Sequence, residues 1–347
     1  MKTNNFESRK EKILELIIEN YINSASPISS RAISSRLHRG LSSATIRNVM
    51  ADLEDAGFIM HPHTSAGRVP TEKGYRYYVD KLMRAKLLTE EEKKAINKEF
   101  KACVNELDAL LDKASHILSS ITNQTGIVLF PMLQKGIFSH ADLIRLNSNR
   151  LLIVLMTESG LTEDFIIDMK RRIEDTDLTR IANFINSQIG KGSIEKIRKE
   201  IMQRLLAERD SFFYVLDNTK RIIDGMLGII REEKIYLGGA AHIVEQPEFR
   251  DAGKIRNIFK ILENNDFLSS MLKKGFEKQG VNVYIGSELD DEFAEFGLVT
   301  CNYCIGDIPC GTLGVIGPAR MEYARLISVV GYVASSLNKL LSDNIQE

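Results

Sequence analysis

Between Leu41 and Thr71 the chain carries a pattern that few folds accommodate: an amphipathic segment headed by serine and closed by glycine, then two brief apolar stretches around a polar loop. Ile46, Val49, Met50 and Leu53 recur at the three- and four-residue spacing that gathers them on one stripe of an α-helix. Ser42 is placed to cap that helix and Gly57 to end it in a left-handed conformation. The opposite face carries Ser43, Ala44, Thr45, Arg47 and Asn48. These are small or hydrogen-bonding side chains that suit entry of a helix N-terminus into a major groove, and Arg and Asn match guanine and adenine edges.

Two further helices precede this one. Leu14, Ile17, Ile18 and Tyr21 predict a helix over Arg9 to Ile22, and Ser29 is placed to cap a short helix over Ser30 to Leu37. After Gly57, Phe58 to Met60 and Arg68 to Pro70 read as two short strands around the loop His61 to Gly67. Three helices and a hairpin in this order make a winged helix-turn-helix. In that reading the wing residues His63, Thr64, Ser65 and Arg68 hold phosphate or reach a minor groove. Residues 1–86 carry 14 Lys and Arg against 9 Asp and Glu, whereas the whole chain has a net charge of −1. The basic excess sits where a DNA-binding domain is expected, although its size is modest. A helical head that binds protein and no DNA is the alternative at this point.

At 347 residues the chain is too long for one typical core, which predicts two or three domains. From Glu90 to Ile121, apolar residues alternate in steps of three and four, which predicts a helix that either pairs with a partner chain or docks on its own sheet. Cys103 and Ala114 are poor seam residues and favour docking. Strand patterns follow at Ile127 to Phe130, Phe138 to Leu146, Leu151 to Thr157 and Leu161 to Asp168, an expected antiparallel meander. Helices are expected at Leu178–Ile189, Ile194–Leu206 and Phe212–Ile230. Strands return at Val281–Ile285, Leu298–Ile305 and Thr312–Ile316, before a last helix over Tyr323–Leu341.

Several residues invite chemistry and are better explained without it. Cys301 and Cys304 have ligand spacing, but on a strand positions i and i+3 face opposite sides, and neither a second pair nor a nearby histidine completes a site. His61 and His63 flank Pro62 in a basic loop, which favours groove contact or solvation over metal. The glycines at 238–239 and at 311, 314 and 317 match neither phosphate-binding fingerprint. Tyr75, Tyr77 and Tyr78 read as a hydrophobic seat beside the wing rather than a stacking platform. We expect no catalytic residue, metal or cofactor, no membrane span, and a cytoplasmic protein that is not an enzyme. The competing function is a small-molecule-sensing or redox-active GAF-type protein using Cys301, Cys304 or Cys310.

Three stretches carry a family likeness: Leu41 to Ile59, Pro62 to Asp80, and Cys310 to Arg325. They resemble the heat-inducible transcription repressors of the HrcA family. The resemblance implies an α+β multidomain chain: a winged helix (1–86), a linker helix with the first part of a GAF-like domain (87–172), an inserted helical dimerisation domain (173–250), and the rest of the GAF-like domain (251–347). It further implies a homodimer that binds the CIRCE inverted repeat, represses chaperone operons, and is favoured in its active form by the chaperonin GroEL. The expected DNA-binding set is Ser42, Ser43, Thr45, Arg47, Asn48, His63, Thr64, Ser65 and Arg68.

Overall fold

The computed structural model describes residues 2–37, 41–63, 67–101, 107–129, 138–157, 162–169, 172–188, 199, 203, 213–230, 233–249, 251–276, 278–290, 293–305 and 308–343. The chain divides into two compact units. One comprises 1–129, 235–303 and 311–340, the other 130–234 with the short pieces 304–310 and 341–347.

The first unit begins with three helices, α1 (Lys2–Ser24), α2 (Ser30–Arg36) and α3 (Ser43–Asp55). Ile13, Leu14, Ile17 and Ile18 of α1 bury their side chains together with Ile33 of α2 and the α3 stripe Ile46, Val49, Met50 and Leu53. Strands β1 (Ile59–Met60) and β2 (Val69–Pro70) pair antiparallel, with Ile59 opposite Pro70. An isolated bridge between Ile28 and Arg68 joins the segment before α2 to this hairpin. Helix α4 (Glu72–Tyr77) follows, capped by the Thr71 hydroxyl, which accepts from Gly74 N.

The expected linker helix is two described helices, α5 (Glu90–Lys101) and α6 (Leu107–Thr122), with residues 102–106, including Cys103, outside the described set. Thr89 and Glu92 close a reciprocal cap at the start of α5: Thr89 N donates to Glu92 Oε2 at 2.8 Å and Glu92 N to Thr89 Oγ1 at 3.2 Å. Those hydrogen bonds hold the Glu92 carboxyl below its usual range. Helix α6 packs on its own domain's sheet and buries Leu110, Leu111, Ala114, Ile117 and Leu118.

That sheet has five strands: β3 (Thr125–Leu129), β7 (Ile235–Gly238), β8 (Val281–Ile285), β9 (Phe296–Ile305) and β10 (Ile308–Pro318), ordered β7-β3-β10-β9-β8. β3 lies antiparallel to both β7 and β10, and β8 to β9. One face is covered by a core in which Ile127, Leu129 and Leu298 meet Ile258 and Leu262 of a helix at Ala252–Glu263 and Leu268 and Leu272 of a helix at Asn265–Lys274. The last helix, Tyr323–Asp343, buries Val329, Val330, Val333 and Leu337.

The second unit holds the sheet β4 (Phe138–Arg145), β5 (Arg150–Thr157) and β6 (Thr162–Asp168), a three-stranded antiparallel meander. Its inward residues Ala141, Leu151, Ile153, Leu155 and Phe165 are buried, as are Ile181 and Ile185 of α7 (Asp175–Gln188) and Ile222, Ile223 and Met226 of α8 (Phe213–Ile230). Helix α7 packs on β4, and α8 packs on α7 and β6. Asn186 ties α7 to β4, accepting from Ala141 N at 2.8 Å and donating to Ala141 O at 2.9 Å.

This arrangement departs from the expected boundaries in two places. The meander at 138–168, expected in the first part of the body (87–172), shares a core with α7 and α8 and belongs to their unit; β3 alone joins the five-stranded sheet. Conversely β7, which falls in the segment expected to be inserted (173–250), is an edge strand of that sheet. Four residues, three half-buried and the last, Gly238, buried, offer no alternation strong enough to announce a strand. The helix expected at 194–206 lies outside the described residues except at 199 and 203, both helical.

Candidate nucleic-acid interface

Two serines set the geometry of the helical head. Ser29 caps α2, accepting from Ala32 N at 3.3 Å, and Ser42 caps α3, accepting from Thr45 N at 3.1 Å. Each satisfies an amide that the first helical turn leaves without an intrahelical partner. A third contact joins the two helices, with the Ser30 and Ser43 hydroxyls 3.0 Å apart. With Ile46, Val49 and Met50 facing the core, Ala44, Thr45, Arg47 and Asn48 share the exposed side of the first two turns of α3. The alternation follows from the 3.6-residue period, because positions 44, 45, 47 and 48 lie across the axis from the buried stripe.

The expected contact residues do not all stand equally open. Arg47 and Asn48 are exposed, as is Thr45, whose hydroxyl lies 3.0 Å from that of Ser42. Ser42 spends its hydroxyl oxygen on the cap, and Ser43 is half-buried against Ser30. His63 is exposed. Thr64 and Ser65 lie outside the described residues. Arg68 differs most from expectation. Its side chain is 15% exposed, with Nη2 2.7 Å from Glu54 Oε2 and Nη1 donating to His61 Nδ1 at 2.5 Å. The guanidinium is turned onto the end of α3 and not outward.

The hairpin depends on close backbone approach. Arg68 N donates to Ile28 O at 2.9 Å and Ile28 N to Arg68 O at 3.0 Å. A Cβ on Gly67 would stand 2.5 Å from Ile28 O, so only glycine passes there. Gly57 ends α3 with φ +78°, as its position predicts.

The tyrosines behind the hairpin form a seat for it. Tyr75 and Tyr78 are buried, while Tyr77 packs on Phe58 with ring centroids 5.2 Å apart and donates its hydroxyl to Glu11 at 2.7 Å. Burial, reinforced by Glu19 and Glu15, pushes the Tyr78 phenol up to about 12, and burial raises Tyr75 and Tyr323 well above the ordinary phenol range.

Sequence reasoning missed the residues that attach this head to the five-stranded body. Arg76 Nε donates to Glu288 Oε1 at 2.7 Å and Nη2 to Val283 O at 2.7 Å. Glu72 accepts from the Ser287 hydroxyl at 2.6 Å, and Arg320 Nη1 donates to Ile22 O at 2.9 Å. These partners are between 207 and 298 residues apart, and no local pattern announces them.

Chemistry elsewhere is sparse. Cys301 and Cys304 lie on β9 and Cys310 on β10, with no disulfide among the described residues. Among the described residues no group of three or more His, Cys, Asp or Glu could hold a metal ion, and no helix is long and apolar enough to cross a membrane.

Residues 108–327 match the family model described as the HrcA protein C terminal domain. A heat-inducible transcription repressor HrcA from Pelotomaculum thermopropionicum is 36% identical over 336 residues, covering 96% of this chain and 97% of the relative. The protein of the same name from Halalkalibacterium halodurans is 36% identical over 344 residues, covering 98% of each. A crystal structure described as a hypothetical protein shares the fold, with a TM-score of 0.57, 23% identity and 97% coverage of both chains. Full-length similarity of this kind, together with the matched C-terminal model, means that the chain belongs to the HrcA family of heat-inducible transcription repressors.

Proposed function

We propose that this protein represses chaperone operons by binding the CIRCE inverted repeat as a two-fold homodimer, each protomer inserting α3 in a major groove. The head is read as a winged helix, with β1 and β2 as its wing. The observation that carries this reading is the exposed row Thr45, Arg47 and Asn48 on a serine-capped helix whose opposite stripe is fully committed to the core. A helix held so firmly presents its outer side chains in one geometry, as base readout requires. Ser42 and Ser43 belong to this site as the residues that hold the first turn, and His63, Thr64 and Ser65 as the wing that lies along the phosphates.

The five-stranded sheet with its helices takes the role of a GAF-like body, and the 130–234 unit that of the inserted dimerisation domain. The relatives' name, heat-inducible transcription repressor, supports a non-enzymatic regulator. In our reading it works in the cytoplasm, with GroEL favouring its active form. Gel-shift titration of a CIRCE duplex against a scrambled duplex, with and without GroEL and across a temperature ramp, tests the reading. Equal affinity for both duplexes overturns operator recognition, and an unchanged bound fraction on adding GroEL overturns the chaperonin link.

A further inference from the structure

Glu54 is an unexpected residue where it stands. It occupies the last turn of α3, where the carbonyl end of the helix disfavours a carboxylate, and that turn holds no basic residue to offset it. In a DNA-binding head its charge also repels phosphate. The structure supplies a partner from outside the helix: Arg68 Nη2, 2.7 Å away, with the same guanidinium donating to His61 Nδ1. Arg68 is meanwhile bound through its backbone to Ile28, immediately before α2. One residue at the foot of the hairpin is thus tied by its main chain to the approach to α2 and by its side chain to the end of α3.

We infer that Glu54 and Arg68 are positioning residues for DNA recognition: their ion pair fixes the hairpin against α3, so that wing and recognition helix meet the duplex as one rigid surface. The inference rests on the DNA-binding reading above and replaces a direct phosphate contact by Arg68 with an indirect role. The two roles predict opposite signs. If Glu54 only adds negative charge near the duplex, Glu54→Gln tightens binding, because a repulsion is removed. If it braces the hairpin, Glu54→Gln loosens binding although the change is electrostatically favourable.

The test uses the full-length protein and the CIRCE duplex, with Glu54→Gln, Arg68→Ala, the pair together, and each combined with Arg47→Ala. The brace predicts about a tenfold loss of affinity for Glu54→Gln, no further loss in the double variant with Arg68→Ala, and additive loss with Arg47→Ala. A direct phosphate role instead lowers the salt slope by about one in Arg68→Ala and leaves Glu54→Gln unchanged or tighter. Amide hydrogen exchange of the unliganded protein provides a readout that needs no DNA. The brace requires faster exchange at the Arg68 and Ile28 amides in Glu54→Gln, with α1 and α3 unchanged. Unaltered exchange at those two amides, or a uniform rise across the head, overturns it. Should the wild-type protein bind no duplex, the repressor reading fails, and exchange at the two amides still decides the brace.

Discussion

Arg76 and Glu288 lie 212 residues apart in sequence and meet side by side, with Arg76 Nε donating to Glu288 Oε1 at 2.7 Å and Nη2 reaching the second carboxylate oxygen. A planar fork against a carboxylate is the strongest form of side-chain ion pair, and here Nη2 also donates to the Val283 carbonyl. It raises the Arg76 guanidinium pKa against the opposing effect of burial. Arg76→Ala is expected to destabilise the protein by about 1–2 kcal/mol, since it leaves the Glu288 carboxylate and the Val283 carbonyl without this donor. Arg76→Lys should recover only part of the loss. Chemical denaturation measures both, and an Arg76→Ala variant of unaltered midpoint would show that the pair contributes nothing.

Ser42→Ala removes the cap of α3 and should cost about 1 kcal/mol of stability. Ser42→Asp keeps a cap acceptor and should retain stability, yet weaken DNA binding by placing a carboxylate at the helix end proposed to enter the groove. Thermal melts and duplex titrations run on the same samples separate the two effects. Parallel loss in both variants would argue against a cap role.

Arg47 is exposed and opposite the buried stripe, so Arg47→Ala should leave the melting temperature unchanged. Operator affinity should fall by about 1–3 kcal/mol, with relaxed base preference at one position of each half-site. Binding curves on single-base operator variants check this. Retained discrimination at every position would remove Arg47 from the readout.

Tyr75, Tyr78 and Tyr323 have phenols raised by burial in the folded state. Their unfolded forms ionise near pH 10, so between about pH 10 and 12 the unfolded chain releases protons that the folded chain keeps. Stability is unaffected by these groups below that window and falls as pH rises through it. Melting temperature should therefore decline steeply from about pH 10, and Tyr78→Phe should flatten part of the decline. An identical alkaline profile in that variant would assign the loss to other groups.

Much of the helical head was legible in the sequence because its determinants are local. The stripe Ile46, Val49, Met50 and Leu53 is buried as its period requires, Ser29 and Ser42 cap the helices they precede, and Gly57 adopts the positive φ its position implies. Arg68 was legible as a basic residue of the hairpin but not as the ion-pair partner of Glu54. Its orientation depends on Glu54, fourteen positions earlier on another element. The body followed the same division. The meander's strands were readable from alternation, yet the sheet each strand joins was not: β3 pairs with β7 and β10 because of partners more than a hundred residues away.

Local hydrogen bonds, helical and strand periods and glycine conformations are fixed within a few residues, and they determined the elements and the exposed face of α3. Which strands share a sheet, where the chain divides into units, and whether a charged side chain points to solvent or to a partner depend on the burial of one segment against another. Those outcomes were decided by tertiary packing, in which Ala141 goes with Asn186, Arg76 with Glu288 and Arg68 with Glu54.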